Sequence, residues 1–182
     1  MEKKKLLVVV DMQNDFITGV LGHKNTQAIV PNVVKKVKES IQHNDWIIFT
    51  QDTHTVESYS ETREGKGLPV PHCLVASEGI KFIPELDFIK DYEDFGVLPK
   101  YDTFGLCAHL DPNQMDFTEI EHIEIIGVVT NICVISVAVS LQNALKNTDI
   151  VIDASCCASN SQYLHNCALD VMESLQMKVI NR

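Results

Sequence analysis

Asp11, Lys100 and Cys133 are together able to cleave an amide. A cysteine sulfur attacks carbonyl carbon, a carboxylate takes the thiol proton and later delivers it to departing ammonia, and a nearby ammonium keeps the ion cluster poised. Cys133 lies in Gly127-Val128-Val129-Thr130-Asn131-Ile132-Cys133-Val134, where an apolar run passes through a Thr-Asn turn into a helix-forming stretch. The sulfur is therefore expected near a helix N-terminus, where unpaired N–H groups and the dipole favour thiolate and can hold an oxyanion. Lys100 is expected to lower the thiol pKa further.

A second constellation carries ligand chemistry. Asp52-Thr53-His54 sets two donors on one side of an extended segment, and Val70-Pro71-His72-Cys73 offers a third, with Glu61 or Glu64 available to complete the shell. Nitrogen and carboxylate donors suit zinc, and also iron or manganese, with positions open for water or substrate. Singly, each residue has an ordinary structural role: Asp11 bracing a loop, Lys100 solvated, Cys133 filling core, the histidines in surface loops. Their shared placement is what counts. Asp11, the Asp52/His54 pair, Lys100 and Cys133 all fall at or just past the carboxyl ends of expected strands, so they can converge. His23, His109, His122 and His165 belong to no such motif and read as surface or helix residues. The adjacent Cys156 and Cys157, expected just after a strand, read as packing.

The elements that must position these groups follow from hydrophobic periodicity. Leu6 to Met12 is a continuous apolar run closed by an acidic residue, the pattern of a strand covered on both faces. Val33, Val34, Val37 and Ile41 share one helical face after Pro31, which suits a first turn. Trp46 to Thr50 reads as a second strand, completing a βαβ unit. Residues 55–83 lack a sustained period and read as a long excursion above the strand ends. A short strand near 96–99 follows, then a strand at 123–129, a helix at 131–145, a strand at 150–154, a helix at 162–175 and a final strand at 177–180. This alternation predicts an α/β fold: one domain over 1–182, with a doubly wound, mostly parallel six-stranded sheet, helices on both faces, and ligands beyond the strand ends.

Composition narrows the function. A net charge of −10, with no basic stripe interleaved with aromatics, disfavours nucleic acid as a partner. No stretch approaches the roughly 20 apolar residues of a membrane span, and the run after Lys3-Lys4-Lys5 is too short for a signal sequence. A cytoplasmic protein is expected, with no membrane partner. Its six cysteines form no Cys-x-x-Cys pair, so free thiols are expected in place of a disulfide framework or zinc ribbon. Apolar helix faces leave room for a homo-oligomer.

The chain resembles the isochorismatase-like cysteine hydrolases, and within them the nicotinamidase branch. The likeness runs nearly end to end, through Val10-Asp11-Met12-Gln13-Asn14-Asp15-Phe16, Thr50-Gln51-Asp52-Thr53-His54, Leu68-Pro69-Val70-Pro71-His72-Cys73, Pro99-Lys100 and Gly127 to Val134. It implies a Rossmann-like three-layer fold, Asp11, Lys100 and Cys133 as a catalytic triad, and Asp52, His54 and His72 as ligands of one divalent metal ion. It also implies a cis peptide before Val129, oxyanion donors at the Val129 and Cys133 amides, and Phe16 against a pyridine ring whose nitrogen meets the metal. The implied substrate is nicotinamide, with pyrazinamide as a related small molecule. Many relatives carry another histidine shortly after the Asp-x-His pair, and the stretch from Glu57 to Glu64 has none. The resemblance points to Glu64 as fourth ligand, with Glu61, or three protein ligands alone, as alternatives. Trp, common near the substrate in some relatives, is absent from this loop, leaving Leu68 or Tyr59 to line that side. The rival functions are a metal-independent amidase acting on a carbamoyl or other small amide, and a catalytically silent binding module.

Overall fold

The computed structural model describes residues 4–106 and 120–182. Cys107 and His109 lie outside them. Strand β1 (Lys4–Val10) is central, and its side chains alternate between two cores: Leu6, Val8 and Val10 face one, Leu7 and Val9 the other. Short helices α1 (Asn14–Ile17) and α2 (Lys24–Ala28) follow. The ring of His23 caps α2 by accepting from the Asn25 amide, while its own amide donates to Thr26 Oγ1, so this histidine is a helix-start residue. Helix α3 (Val30–Gln42) buries Val33 and Val37 in the core of Leu7 and Val9.

Strands β2 (Trp46–Thr53) and β3 (Phe95–Tyr101) are separated by the excursion, which contains a 3-10 turn at Tyr59–Glu61 and helix α4 (Arg63–Gly67). Elements this short leave no hydrophobic period. The excursion is tied down by bridges pairing His54 with Leu74 and Gln13 with Phe82. A second 3-10 segment, Pro84–Asp91, leads into β3. Strand β4 (Ile120–Val128), helix α5 (Ile135–Ala144), strand β5 (Asp149–Ala158), helix α6 (Gln162–Ser174) and strand β6 (Lys178–Ile180) complete the order. Helices α5 and α6 bury Val137, Leu141, Leu169 and Met172 on the face opposite α3.

The sheet order is β3-β2-β1-β4-β5-β6, and every pairing is parallel. This is the expected doubly wound α/β fold, with the sheet parallel throughout. The winding reverses between β1 and β4, which opens a crevice beyond their carboxyl ends. Gly127, paired with Val10, has φ +119°, and a Cβ there would come within 2.1 Å of the Val10 carbonyl oxygen. Only glycine allows β4 to approach β1 so closely at the mouth of the crevice.

Two local expectations need correction. Strand β5 runs four residues beyond Ala154, so Cys156 and Cys157 lie within it, each buried in a different core. A register irregularity between Ile125 and Gly127 lets the longer strand stay paired, with Cys157 opposite Gly127. The helix expected from Asn131 begins instead with a wide π turn at Thr130–Val134. There the Val134 amide reaches back to the Val129 carbonyl at 3.2 Å, and regular α5 starts only at Ile135. Among the described residues, no helix is long and apolar enough to cross a membrane.

Candidate active site

Asp11 is the first residue past β1 and adopts φ 49°, a left-handed conformation that turns the chain sharply at the strand end. Its Oδ1 accepts the Thr50 hydroxyl at 2.6 Å, and its Oδ2 lies 2.6 Å from Lys100 Nζ. Both side chains of this ion pair are buried, at 0% and 1% exposure. Burial alone would depress the Lys100 pKa, but the acidic groups around it, Asp11 foremost, together outweigh burial and raise the value. Asp11 is itself shifted upward, chiefly by burial with Asp52 adding to it, against the pull of Lys100.

Cys133 sits in the π turn, buried beside this pair. Its thiol is pushed well above the ordinary value, first by burial and then by the Asp11 carboxylate, with Lys100 pulling the other way. This corrects the expectation of a thiolate-favouring environment. Burial penalises a charged sulfur, and the Asp11 carboxylate opposes its ionisation. Burial and the Asp11 carboxylate thus favour the protonated thiol at Cys133. The peptide bond between Val128 and Val129 is cis, and the Ile132 and Val134 amides close on the Val129 carbonyl at 3.0 and 3.2 Å.

Beside this triad, donor atoms of Asp52, His54 and His72 lie within 4.8 Å of one another, and all three residues are buried. One oxygen, Asp52 Oδ2, is 3.0 Å from His54 Nε2 and 3.3 Å from His72 Nε2. Glu64 approaches the same nitrogens at 3.7 and 3.5 Å, whereas Glu61 is exposed in its 3-10 turn. Each imidazole turns Nδ1 toward an acceptor: the Asp102 carboxylate for His54 at 2.8 Å, the Val70 carbonyl for His72 at 2.9 Å. Neutral rings so held point Nε2 lone pairs at carboxylate oxygens. The cluster therefore needs positive charge among these atoms, either protons or a metal cation. Burial alone would lower the His72 pKa, but hydrogen bonds with Asp52 and Glu64 push it up to about 10. Desolvation works against ionised Asp52, yet His54, His72 and Lys100 hold its carboxyl well below the usual carboxylate range. The donor set and its deficit of positive charge fit a divalent cation.

Phe16 is buried at the end of α1, its ring edge-on to His72 at 5.4 Å. Tyr59 packs against His54 and His72 at 5.1 and 5.5 Å, and its hydroxyl donates to the Leu68 carbonyl at 2.6 Å. Leu68 itself is exposed.

Four supporting residues escaped the sequence reading. Gln13, wholly buried, clasps the Asp52 backbone: its Nε2 donates to the Asp52 carbonyl at 2.9 Å, and its Oε1 accepts the Asp52 amide at 2.8 Å. Asp15 accepts the Cys73 amide at 2.8 Å and so anchors the chain immediately after His72. Asp102 holds His54. His165, expected as a surface or helix residue, is a buried α6 residue bonded through Nδ1 to the Thr130 hydroxyl at 2.8 Å, bracing the turn that carries Cys133. Only the Gln13 and Asp15 positions, inside the run Asp11 to Phe16, carried any sequence signal.

Known proteins with this architecture have been solved. The crystal structure of nicotinamidase PncA from Bacillus subtilis superposes with a TM-score of 0.83 at 25% identity, covering 97% of this chain and 98% of that one. The pyrazinamidase of Pyrococcus horikoshii in complex with zinc gives 0.82 at 24%, covering 98% and 99%. The N-carbamoylsarcosine amidase of Thermoplasma acidophilum gives 0.78 at 21%, covering 97% and 95%, so the fold is shared among different named activities. In sequence, the uncharacterized isochorismatase family protein YaaI of Bacillus subtilis is 29% identical over 174 residues, covering 94% of this chain and 90% of that protein. The family model described as the isochorismatase domain matches residues 5–182, and the chain belongs to that family.

Proposed function

We propose that the chain is a nicotinamidase, converting nicotinamide to nicotinate and ammonia through a thioester on Cys133, in the salvage of pyridine nucleotides. The observation that carries this reading is the meeting, at one set of strand ends, of a thiol beside the Asp11–Lys100 pair with an Asp52–His54–His72 cluster short of positive charge. The first grouping suits amide cleavage. The second suits a cation able to bind a pyridine nitrogen, a donor that distinguishes nicotinamide from simple amides.

In the proposed reaction, sulfur adds to the carboxamide carbon as the thiol proton passes to Asp11, and the carbonyl electron pair moves to oxygen. The amides of Val129 and Cys133 receive the oxyanion. Collapse restores the carbonyl and breaks the C–N bond, and the nitrogen leaves as ammonia with the proton held by Asp11. Water then attacks the thioester, giving a proton to Asp11. The C–S bond breaks, sulfur recovers that proton, and the acid ionises on release. Lys100 keeps its charge throughout and favours the carboxylate form of Asp11 between transfers, its proton having gone to nitrogen in the first half and to sulfur in the second. Phe16 and Tyr59 wall the side of the ring. Asp52, His54 and His72, with Glu64, would hold one divalent ion, zinc by preference over iron or manganese, which supplies a Lewis-acid anchor.

A second reading, a metal-independent amidase for a carbamoyl or other small amide, draws on the fold shared with N-carbamoylsarcosine amidase. Ammonia release from nicotinamide by wild type and Cys133→Ala, with metal quantified on the same samples, separates the two. Activity lost only in the variant, with metal in both, is expected. A metal-free wild type active on a carbamoyl amide but not on nicotinamide would install the second reading instead.

A further inference from the structure

We propose that Asp102 is a positioning residue for His54 that sets the cation affinity of the cluster. The inference rests on the metal-binding reading above. It starts from strand register: β2 and β3 pair Asp52 with Lys100 and Thr53 with Tyr101. Continuing one residue past both strands brings Asp102 alongside His54. Asp102 has φ 51°, a backbone region that aspartate tolerates better than most residues, and the turn it makes delivers Oδ1 to within 2.8 Å of His54 Nδ1. One pair of parallel strands thus presents Asp52 beside the ammonium of Lys100 and His54 beside the carboxylate of Asp102.

An Nδ1–H bonded to a carboxylate fixes both the tautomer and the ring plane, so the Nε2 lone pair faces Asp52 Oδ2, 3.0 Å away. The anion also makes the ring a stronger donor. His72 lacks this support, because its Nδ1 faces the neutral Val70 carbonyl and the Tyr59 hydroxyl. The two imidazoles are therefore unequal ligands, and the difference comes from Asp102. Its side chain is 40% exposed while that of His54 is 0% exposed, so truncating Asp102 removes the support without opening a hole in the core.

The test titrates metal-stripped wild type, Asp102→Ala and Asp102→Asn with zinc against a chromogenic chelator, with melting of the metal-free proteins as a check on folding. The Ala variant is expected to bind zinc roughly 10- to 100-fold more weakly at unchanged metal-free stability. Asn, which keeps an acceptor but loses the charge, is expected in between. An Ala variant binding like wild type would overturn the inference and leave the proposed function standing. A wild type that takes up no zinc would remove the metal-binding reading, and the inference with it.

Discussion

Asp11 and Lys100 meet beside Asp52, which stands opposite Lys100 in the register of β2 and β3, yet this pair and the Asp52–His54–His72 cluster handle buried charge in opposite ways. In the first, carboxylate and ammonium neutralise each other across 2.6 Å, and burial with the Asp11 carboxylate favours the protonated form of the thiol beside them. In the second, carboxylates converge on imidazole nitrogens, and the balance is left to protons or a bound cation. A self-satisfied pair can move a proton internally without help, as a nucleophile and its base must. An unsatisfied cluster is a receptor. The lesson is that neighbouring polar clusters differ in function according to which is electrically complete.

The strongest test of the first half is Asp11→Asn. Removing the base is expected to lower amide turnover by roughly 10³-fold. The same change removes the anion that raises the thiol pKa and leaves Lys100 beside it, so alkylation of Cys133 by iodoacetamide should become faster. Loss of turnover with slower alkylation would contradict the neutral-thiol account. Next, Lys100→Met strands a buried carboxylate and is expected to cost about 3–5 kcal/mol in denaturant unfolding. Stability close to wild type would mean that the pair is not buried as described.

For the second half, His72→Ala is expected to abolish tight zinc binding while leaving Cys133 as reactive toward iodoacetamide as in metal-free wild type. A change in both readouts would show that the clusters are not separable. The smallest effect concerns a third charged group, away from the site, where Lys36 bridges Glu124 at 2.7 Å and Asp153 at 2.9 Å. Burial opposes ionisation of both carboxyls, but Lys36, joined by Lys5 at Glu124 and by Ser155 and Asn181 at Asp153, outweighs it and holds them below their ordinary values. Their stabilisation is therefore complete above the unfolded carboxylate pKa, near about 4. It is lost as pH falls through the depressed folded values. Lys36→Met should flatten that acid limb of the stability profile, and an unchanged limb would place the acid sensitivity elsewhere.

Much of this was legible in the chain. Continuous apolar runs gave β1 and β2, and the positions of Asp11, Asp52, Lys100 and Cys133 at strand ends foretold their convergence. Of the two glutamates the sequence offered, Glu64 lies 3.5 and 3.7 Å from the imidazoles and Glu61 is exposed. What stayed hidden depends on tertiary register or depth. Asp102 matters only because β3 lies parallel to β2 in one particular pairing, and Gln13 reaches Asp52 across 39 residues through an amide that no periodicity marks. His165 sits on a helix whose buried face was clear but whose partner, Thr130, was not. The sign of the Cys133 shift was misjudged because a turn sequence reveals a nearby helix end but not how deeply the sulfur is buried.

The most direct test of the central claim is mass spectrometry of the protein quenched during turnover of nicotinamide. The account predicts a nicotinoyl thioester on the peptide containing Cys133 and none on Cys133→Ala. An acyl adduct on Cys73, the buried cysteine next to His72, would contradict it.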